Sequence, residues 1–377
     1  MSGAAATRLL ASLSRAGRPG RVLAPELDTM RTLGLRGAAR GRGGRASAEQ
    51  QRRLAESHAL TYRRIWQRAA DQLGAEVHEL GDGFLRISLR GAETVVSRHL
   101  VSLNGPSTAA LSLDKSLVHR LLAGDGVPIP EHLETDRNDQ AGASAFMGAS
   151  SEPSVVKPAN GTSGGTGVTC GVTSPQALSR AWLRAARWDE RILIERQTPG
   201  DEYRLLLLDG ELLGCVQRRR PRVVGDGAAS VLELIAREND RRLEAGSDDV
   251  SRLLNVDLDC ELAVRRAGLS LRSVPARGRV VIVKSTVSEN ASSENSTVSD
   301  LGPELLSEAA RAVELLHLRF AGIDLVTPDR SRSLSDAGGT ILEINATPGL
   351  HYHYQVDDPA GAIAVATPIL SVALGSR

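Results

Sequence analysis

Between Ala48 and Gly74 apolar residues recur at helical spacing (Leu54, Ala55, Tyr62, Ile65, Trp66, Ala69, Leu73), which predicts one long helix. Period-two alternation then predicts short strands at about Glu76 to Leu80, Phe84 to Leu89 and Glu93 to Ser97. Asp114 to Leu122 reads as a helix closed by Gly124, Gly126 and Pro128. From Ser154 the rhythm becomes strand (to Lys157), glycine loop, strand (Val168 to Val172), helix (Gln176 to Arg187) and strand (Ile192 to Glu195). A strand from Tyr203 to Leu208 meets the Asp209-Gly210 pair before Glu211 to Val216, a hairpin signal. Residues 218 to 279 are Arg-rich and mixed, with a helix predicted from Val231 to Asn239. Val280 to Lys284 is a predicted strand and Pro303 to Leu318 a helix with Pro in its first turn. Phe320 to Val326 and Thr340 to Asn345 read as buried strands, and Asp358-Pro359 as the start of a final apolar helix. No internal repeat is visible.

Residues 1 to 47 break this patterning: they are rich in Ala, Gly and Arg, cannot bury a face, and read as a flexible arm. Arg8 and Arg15 bracket the short apolar stretch there, which argues against a signal peptide. The remaining chain divides into an N-terminal α/β lobe at 48–112 and a larger unit at 113–377, split at 216/217. With 41% apolar and 24% charged residues among 377, the chain can build its own core, and no run is long and apolar enough to span a membrane. Net charge is +1 and aromatics are 3%, which argues against a nucleic-acid partner. Cys170, Cys215 and Cys260 are scattered, pointing away from zinc or a disulfide framework and towards a reducing, cytoplasmic setting. Only three of 46 basic residues are lysines, Lys115, Lys157 and Lys284. A coding bias explains the arginines; a lysine that survives it suggests a place where a compact, rotatable charge is required, as against crowded phosphates.

The loop Asn160-Gly161-Thr162-Ser163-Gly164-Gly165-Thr166-Gly167 follows Val155-Val156-Lys157-Pro158. Glycines let backbone N–H groups approach phosphate oxygens, and the hydroxyls add donors. It lacks the Gly-Lys-Ser/Thr of a P-loop, and a strand rather than a helix follows. Alone it would be a flexible hairpin; Lys157, four residues before the first glycine, favours a phosphate cradle. Glu343 and Asn345 alternate on one strand face, and with Asp324 they suit one or two Mg²⁺ ions shared with phosphates and water. The alternative is a pair of solvated strand ends. The link from Ile194 to Arg204 can offer backbone to a purine and an acid to a ribose, and Arg204 can hold a phosphate or carboxylate bidentately. His351 and His353 follow the acidic strand, where they could reach a carboxylate or an amine, or pack as turn-forming aromatics. The run from Arg218 to Arg222 reads either as an attraction for an acidic substrate or as a solvated edge.

In order, Asp114-Lys115 with its helix, Gly-Val-Pro-Ile-Pro, Val-Val-Lys-Pro, the glycine loop, Ile-Glu…Gly-Asp-Glu-Tyr-Arg, Val-Val-Gly-Asp-Gly, Gly-Ile-Asp and Leu-Glu-Ile-Asn-Ala-Thr-Pro-Gly-Leu resemble the ATP-grasp carboxylate-amine ligases. The likeness is greatest to the ATP-grasp module of cyanophycin synthetase and bifunctional glutathione synthetase, and it covers roughly residues 50 to 365. It implies an α/β (α+β) ATP-grasp fold, two lobes clamping ATP, preceded by the small N-terminal lobe. It implies that Lys115 and Lys157 contact ATP phosphates under the loop Gly161, Thr162, Ser163, Gly164, Gly165, Thr166 and Gly167. Glu195, Arg196 and the backbone to Thr198 would hold adenine, and Glu202 ribose. Asp324, Glu343 and Asn345 would bind Mg²⁺, with Mn²⁺ as a substitute, and Arg204 and Lys284 would stabilise the transferred phosphoryl group.

The function implied is amide formation between a carboxylate and an amine, from amino acids or short peptides, through an acyl phosphate. The competing readings are an ATP-dependent kinase and a non-catalytic ATP-binding module. Related ligases commonly self-associate, which allows a homo-oligomer. One departure stands out: where the relatives carry an Asn-x-Ser-Thr-Gly-Gly loop, this chain has Asn290-Ala291-Ser292-Ser293-Glu294-Asn295, without the glycines.

Overall fold

A computed structural model describes residues 48–162, 164–246 and 251–375, so the arm at 1–47 and Ser163 lie outside the described residues. The long helix forms as α1 (Ala48–Leu73) and packs on a four-stranded antiparallel sheet of β1 (Glu76–Gly81), β2 (Phe84–Leu89), β3 (Ala92–Ser97) and β4 (Leu100–Val101). Helices α2 (Pro106–Leu113) and α3 (Lys115–Gly124) follow, the second capped by Asp114, whose carboxylate accepts from Leu117 N at 3.0 Å.

A second antiparallel sheet has the order β5-β8-β6-β7, from β5 (His132–Asp136), β6 (Ser154–Pro158), β7 (Thr169–Val172) and β8 (Arg191–Arg196). It is backed by α4 (Gln140–Gly148) and α5 (Pro175–Ala185), with Val156, Ile192, Ile194, Leu178 and Trp182 in its core. The central sheet runs β13-β10-β9-β14-β15, from β9 (Asp201–Leu208), β10 (Glu211–Arg218), β13 (Asn295–Val298), β14 (Phe320–Thr327) and β15 (Thr340–Asn345). The β9-β10 turn places Asp209 at φ 50° and Gly210 at φ 85°, the twist-compatible hairpin its sequence predicts.

The Leu205-Leu206-Leu207-Leu208 run has no alternation because both faces of β9 are covered. Leu205 and Leu207 meet α3 and α8 (Pro303–Leu315), whereas Leu206 and Leu208 meet Tyr62 and Trp66 of α1 and Ile369 and Leu370 of the last helix. That last helix, α10 (Ala366–Ala373), starts later than Asp358-Pro359 suggests. Pro359–Gly361 makes a single 3₁₀ turn, and Ala362 then turns extended at ψ 136°.

Within the Arg-rich stretch, β11 (Arg222–Val224) pairs with β12 (Val280–Ile282) beneath α6 (Val231–Ala245) and α7 (Leu258–Arg266). Helix α6 outruns the predicted Val231 to Asn239 by six residues and opens on a Ser230/Glu233 capping box. Helix α9 (Leu334–Ala337) is a single turn before β15. No helix among the described residues is long and apolar enough to cross a membrane.

Candidate active site

A cavity of about 580 Å³ opens between the β5-β8-β6-β7 sheet, the central sheet and the α6/α7 unit. Val156 is fully buried in the core of its sheet, so its neighbour Lys157 projects from the other face. Lys157 Nζ lies 2.6 Å from Glu195 Oε1, both nearly fully buried. His119 Nδ1 stands 3.7 Å from the same carboxylate. Burial and then the Lys157 charge hold this imidazole down at about 4, so it is neutral at pH 7. Lys115 Nζ donates to Thr162 O of the glycine loop at 3.1 Å and lies 3.6 Å from Glu343 Oε1. One ammonium therefore touches both the loop and the acidic strand.

In the loop Gly161, Gly164, Gly165 and Gly167 all take positive φ. At three of them the space is also taken: a Cβ on Gly165 would meet Ser288 Oγ, one on Gly167 would meet Pro158 and Trp188, and one on Gly164 would meet the Arg252 guanidinium, which donates to Gly164 O at 3.1 Å. Thr162, Gly164 and Gly165 face the cavity, whereas Gly167 packs against Pro158 and Trp188. Thr166 is half-buried in the turn between them.

Asp324 sits opposite both Arg204 on β9 and Glu343 on β15. Arg204 grips it bidentately, Nε to Oδ1 at 2.6 Å and Nη2 to Oδ2 at 2.5 Å. Asn345 Nδ2 donates to Asp324 Oδ2 at 3.3 Å, so all three predicted metal residues line one wall. Among the described residues no three His, Cys, Asp or Glu side chains are arranged to hold a metal. Two carboxylates and an amide oxygen are hard donors that fit Mg²⁺ shared with phosphates, and Asp324 Oδ1 keeps a lone pair beyond its Arg204 bond.

Arg218 lies 3.6 Å from Asp324 and 3.8 Å from Glu202, and both Arg218 and Arg204 stack on the Tyr352 ring, at 4.3 and 5.6 Å. Burial pushes the Glu202 carboxyl up to about 7 despite Arg218 nearby. Thr198 Oγ1 bonds Thr340 Oγ1 at 2.8 Å. Arg196 contributes to the wall, but its guanidinium lies over the Phe146 ring at 4.1 Å.

Lys284 is the exception. It is not in the cavity wall; it is buried behind it, with Nζ 2.7 Å from both Asp257 oxygens and 3.7 Å from Glu289. Neighbouring Asp259 accepts from Cys170 N and from Ser285 N and Thr286 N, so this network pins two cavity-lining segments together. Two of the three lysines thus meet the cavity, and the third braces it. In the divergent loop Glu294 is buried and accepts from Ala291 N at 2.7 Å and Arg222 N at 3.0 Å.

Nothing in the sequence marks His119, Arg252 or the N-terminal lobe as part of the site. His58, Tyr62 and His99 line the cavity although their lobe lies more than a hundred residues from the acidic strands. A histidine or tyrosine within an amphipathic helix carries no mark of the cavity it will reach. The run from Arg218 to Arg222 had such a mark, and all four arginines line the wall.

No family model matches the chain. It is 32% identical over 248 residues to cyanophycin synthetase of Trichormus variabilis, covering 64% of this chain and 27% of that protein. Over 290 residues it is 27% identical to the glutathione biosynthesis bifunctional protein of Streptococcus mutans, covering 74% of this chain and 38% of the relative. The chain therefore spans between about a quarter and two-fifths of the length of these relatives. Among solved structures, a bifunctional glutathione synthetase from Pasteurella multocida superposes with a TM-score of 0.52 at 22% identity, over 81% of this chain and 42% of that one. The chain is thus a homologue of the cyanophycin synthetases and bifunctional glutathione synthetases, and it has the ATP-grasp fold that its motifs resemble.

Proposed function

We propose that the protein is an ATP-dependent ligase that joins a carboxylate to an amine, with amino acids or short peptides as substrates. The observation that carries this reading is a single cavity combining two buried lysines, a glycine cradle, the Asp324/Glu343/Asn345 wall and Arg204. Lys115 and Lys157 would neutralise the triphosphate, and the glycine loop would cover it with backbone donors. Glu195, Arg196 backbone and Thr198 would line the base, and Glu202 would meet the ribose. Asp324, Glu343 and Asn345 would hold Mg²⁺, or Mn²⁺ in its place, which supplies charge neutralisation between nucleotide and substrate.

In this reading a substrate carboxylate oxygen attacks the γ-phosphorus, the P–O bond to ADP breaks, and an acyl phosphate forms. The amine nitrogen then attacks the acyl carbon, loses a proton, and phosphate leaves with its oxygen. Arg204, fixed by Asp324 and backed by Tyr352, would orient the phosphoryl oxygens. Closure of the glycine loop would exclude water, which otherwise hydrolyses the acyl phosphate. The three cysteines are free thiols, in keeping with a cytoplasmic setting.

The test is hydroxamate formation with Mg-ATP, hydroxylamine and a panel of amino acids and peptides, with ADP followed in parallel. Hydroxamate together with ADP is expected. ADP accompanied by a stable phosphate ester and no hydroxamate would replace the ligase with a kinase. Nucleotide binding without turnover over a broad panel would leave a binding module.

A further inference from the structure

The lobe that precedes the nucleotide cavity puts a tyrosine into it. Tyr62 of α1 is almost fully buried, and its hydroxyl lies 2.9 Å from Leu350 N, 3.5 Å from His351 N and 3.0 Å from His351 Nδ1. Burial pushes the phenol pKa well above its ordinary value, so the hydroxyl keeps its proton. We infer that His351 is a substrate-binding residue that presents its Nε2–H to an oxyanion of the carboxylate-bearing substrate, and that Tyr62 is the positioning residue that fixes this tautomer.

Donors and acceptors around the phenol set the tautomer. Two backbone N–H groups point at the Tyr62 oxygen and occupy its lone pairs, so its one proton is left for His351 Nδ1. A ring that accepts at Nδ1 carries its own proton on Nε2 when neutral. Burial, with His58, His99, Arg218 and Arg204 around the ring, holds His351 well below its ordinary value, so neutral is the state at pH 7. The ring lines the cavity and stacks on Tyr352 at 4.0 Å between centroids, and Tyr352 in turn lies under Arg218 and Arg204. A neutral N–H donor beside these two guanidiniums is suited to an oxyanion, and it adds direction to their charge. His353, two residues on, is fully buried against Gly214 and does not line the cavity.

The assignment of substrate rests on the ligase reading, whereas the tautomer does not. Long-range nitrogen–proton correlation NMR on the full chain, assigned with His351→Gln, should show the Nε2–H form. In Tyr62→Phe that form should give way to a mixture. With Mg²⁺ and a non-hydrolysable ATP analogue bound, adding the carboxylate that scores in the hydroxamate assay, or succinate where none does, should move the His351 resonances. Nucleotide alone should not move them. Tyr62→Phe should weaken that carboxylate response by about ten-fold, the value of one hydrogen bond to a charged group, with nucleotide affinity unchanged. An Nδ1–H or mixed form in the wild type overturns the proposal. So does a shift caused by nucleotide alone, which would give the donor to the phosphates, or no shift with the carboxylate. Failure of the ligase reading itself would show as absent hydroxamate with the Nε2–H form intact.

Discussion

Lys157 and Glu195 make a buried ion pair on which, in the proposed ligase, nucleotide binding turns, and each depends on the other. Lys157→Met removes the proposed phosphate partner and leaves Glu195 buried without its cation, a loss of about 3–5 kcal/mol. Lys157→Met with Glu195→Gln is expected to regain most of that stability in urea titrations and none of the ADP release. Lys284→Met should cost less, because Arg184 Nη2 still pairs with Asp257 at 2.6 Å, and ADP release per folded molecule should persist. Loss of turnover in fully folded Lys284→Met would return that lysine to the site. Glu202 gives a pH signature of opposite sign to that of an ordinary paired acid. Its folded carboxyl titrates at about 7, above its unfolded value, so between those values the folded chain holds the extra proton and stability falls as pH rises. Relative to Glu202→Gln, the wild type should lose stability between pH 5 and pH 8 in paired unfolding curves. At this scale the sequence was legible wherever chemistry forced a rare choice. Lys115, Lys157, Asp324, Glu343 and Asn345 converge on one cavity. Lys284 misled because rarity identifies a residue that needs an ammonium and not what the ammonium meets, here Asp257 rather than phosphate.

Among the elements, the glycine loop separates conformational from steric demand. Gly161 at φ 73° has nothing within 4 Å of where a Cβ would stand, whereas Gly165 at the same φ faces Ser288 of the opposite wall. Gly161→Ala should cost only the left-handed strain, about 1 kcal/mol. Gly165→Ala should also push the loop off its partner and raise KM for ATP by at least about ten-fold more, read from ADP release against nucleotide concentration. Strands such as β9 and β10 were readable because a turn, Asp209-Gly210, marks where they meet. The elements that escaped, among them β5, α4 and α7, are short or polar, and their burial comes from neighbours that are distant in sequence. Helix α7 carries Asp257 as its cap and Asp259 in its first turn, so its acidic residues read as surface until Lys284 is brought to them.

Over the whole molecule, α1, the first strands, the far face of β9 and α10 share one core around Trp66. Trp66→Ala should therefore cost about 3–5 kcal/mol and lower the midpoint for the complete chain rather than for the N-terminal lobe alone. Trp66 lies in that lobe and Trp182 in the β5-β8-β6-β7 unit, so following each by single-tryptophan variants should give coincident transitions. The overall architecture was legible as an ordered set of motifs. The interlocking of lobes was not, since α1 reads as a helical pattern in its own small lobe and the last segment only as a final apolar helix.

That shared core also sets a schedule for synthesis. Helix α1 is made before the elements that complete its cover: Leu206 and Leu208 of β9, Phe320 of β14 and α10, the last of which begins at Ala366, share one core with Tyr62, Trp66 and Ala69. At about 5–20 residues per second, the intervening three hundred residues keep that apolar face waiting for roughly 15–60 s. During that interval the nascent chain presents an amphipathic helix whose apolar face has only the β1 to β4 sheet to cover it, so its yield in cells should depend on chaperone capacity more than its final stability would suggest.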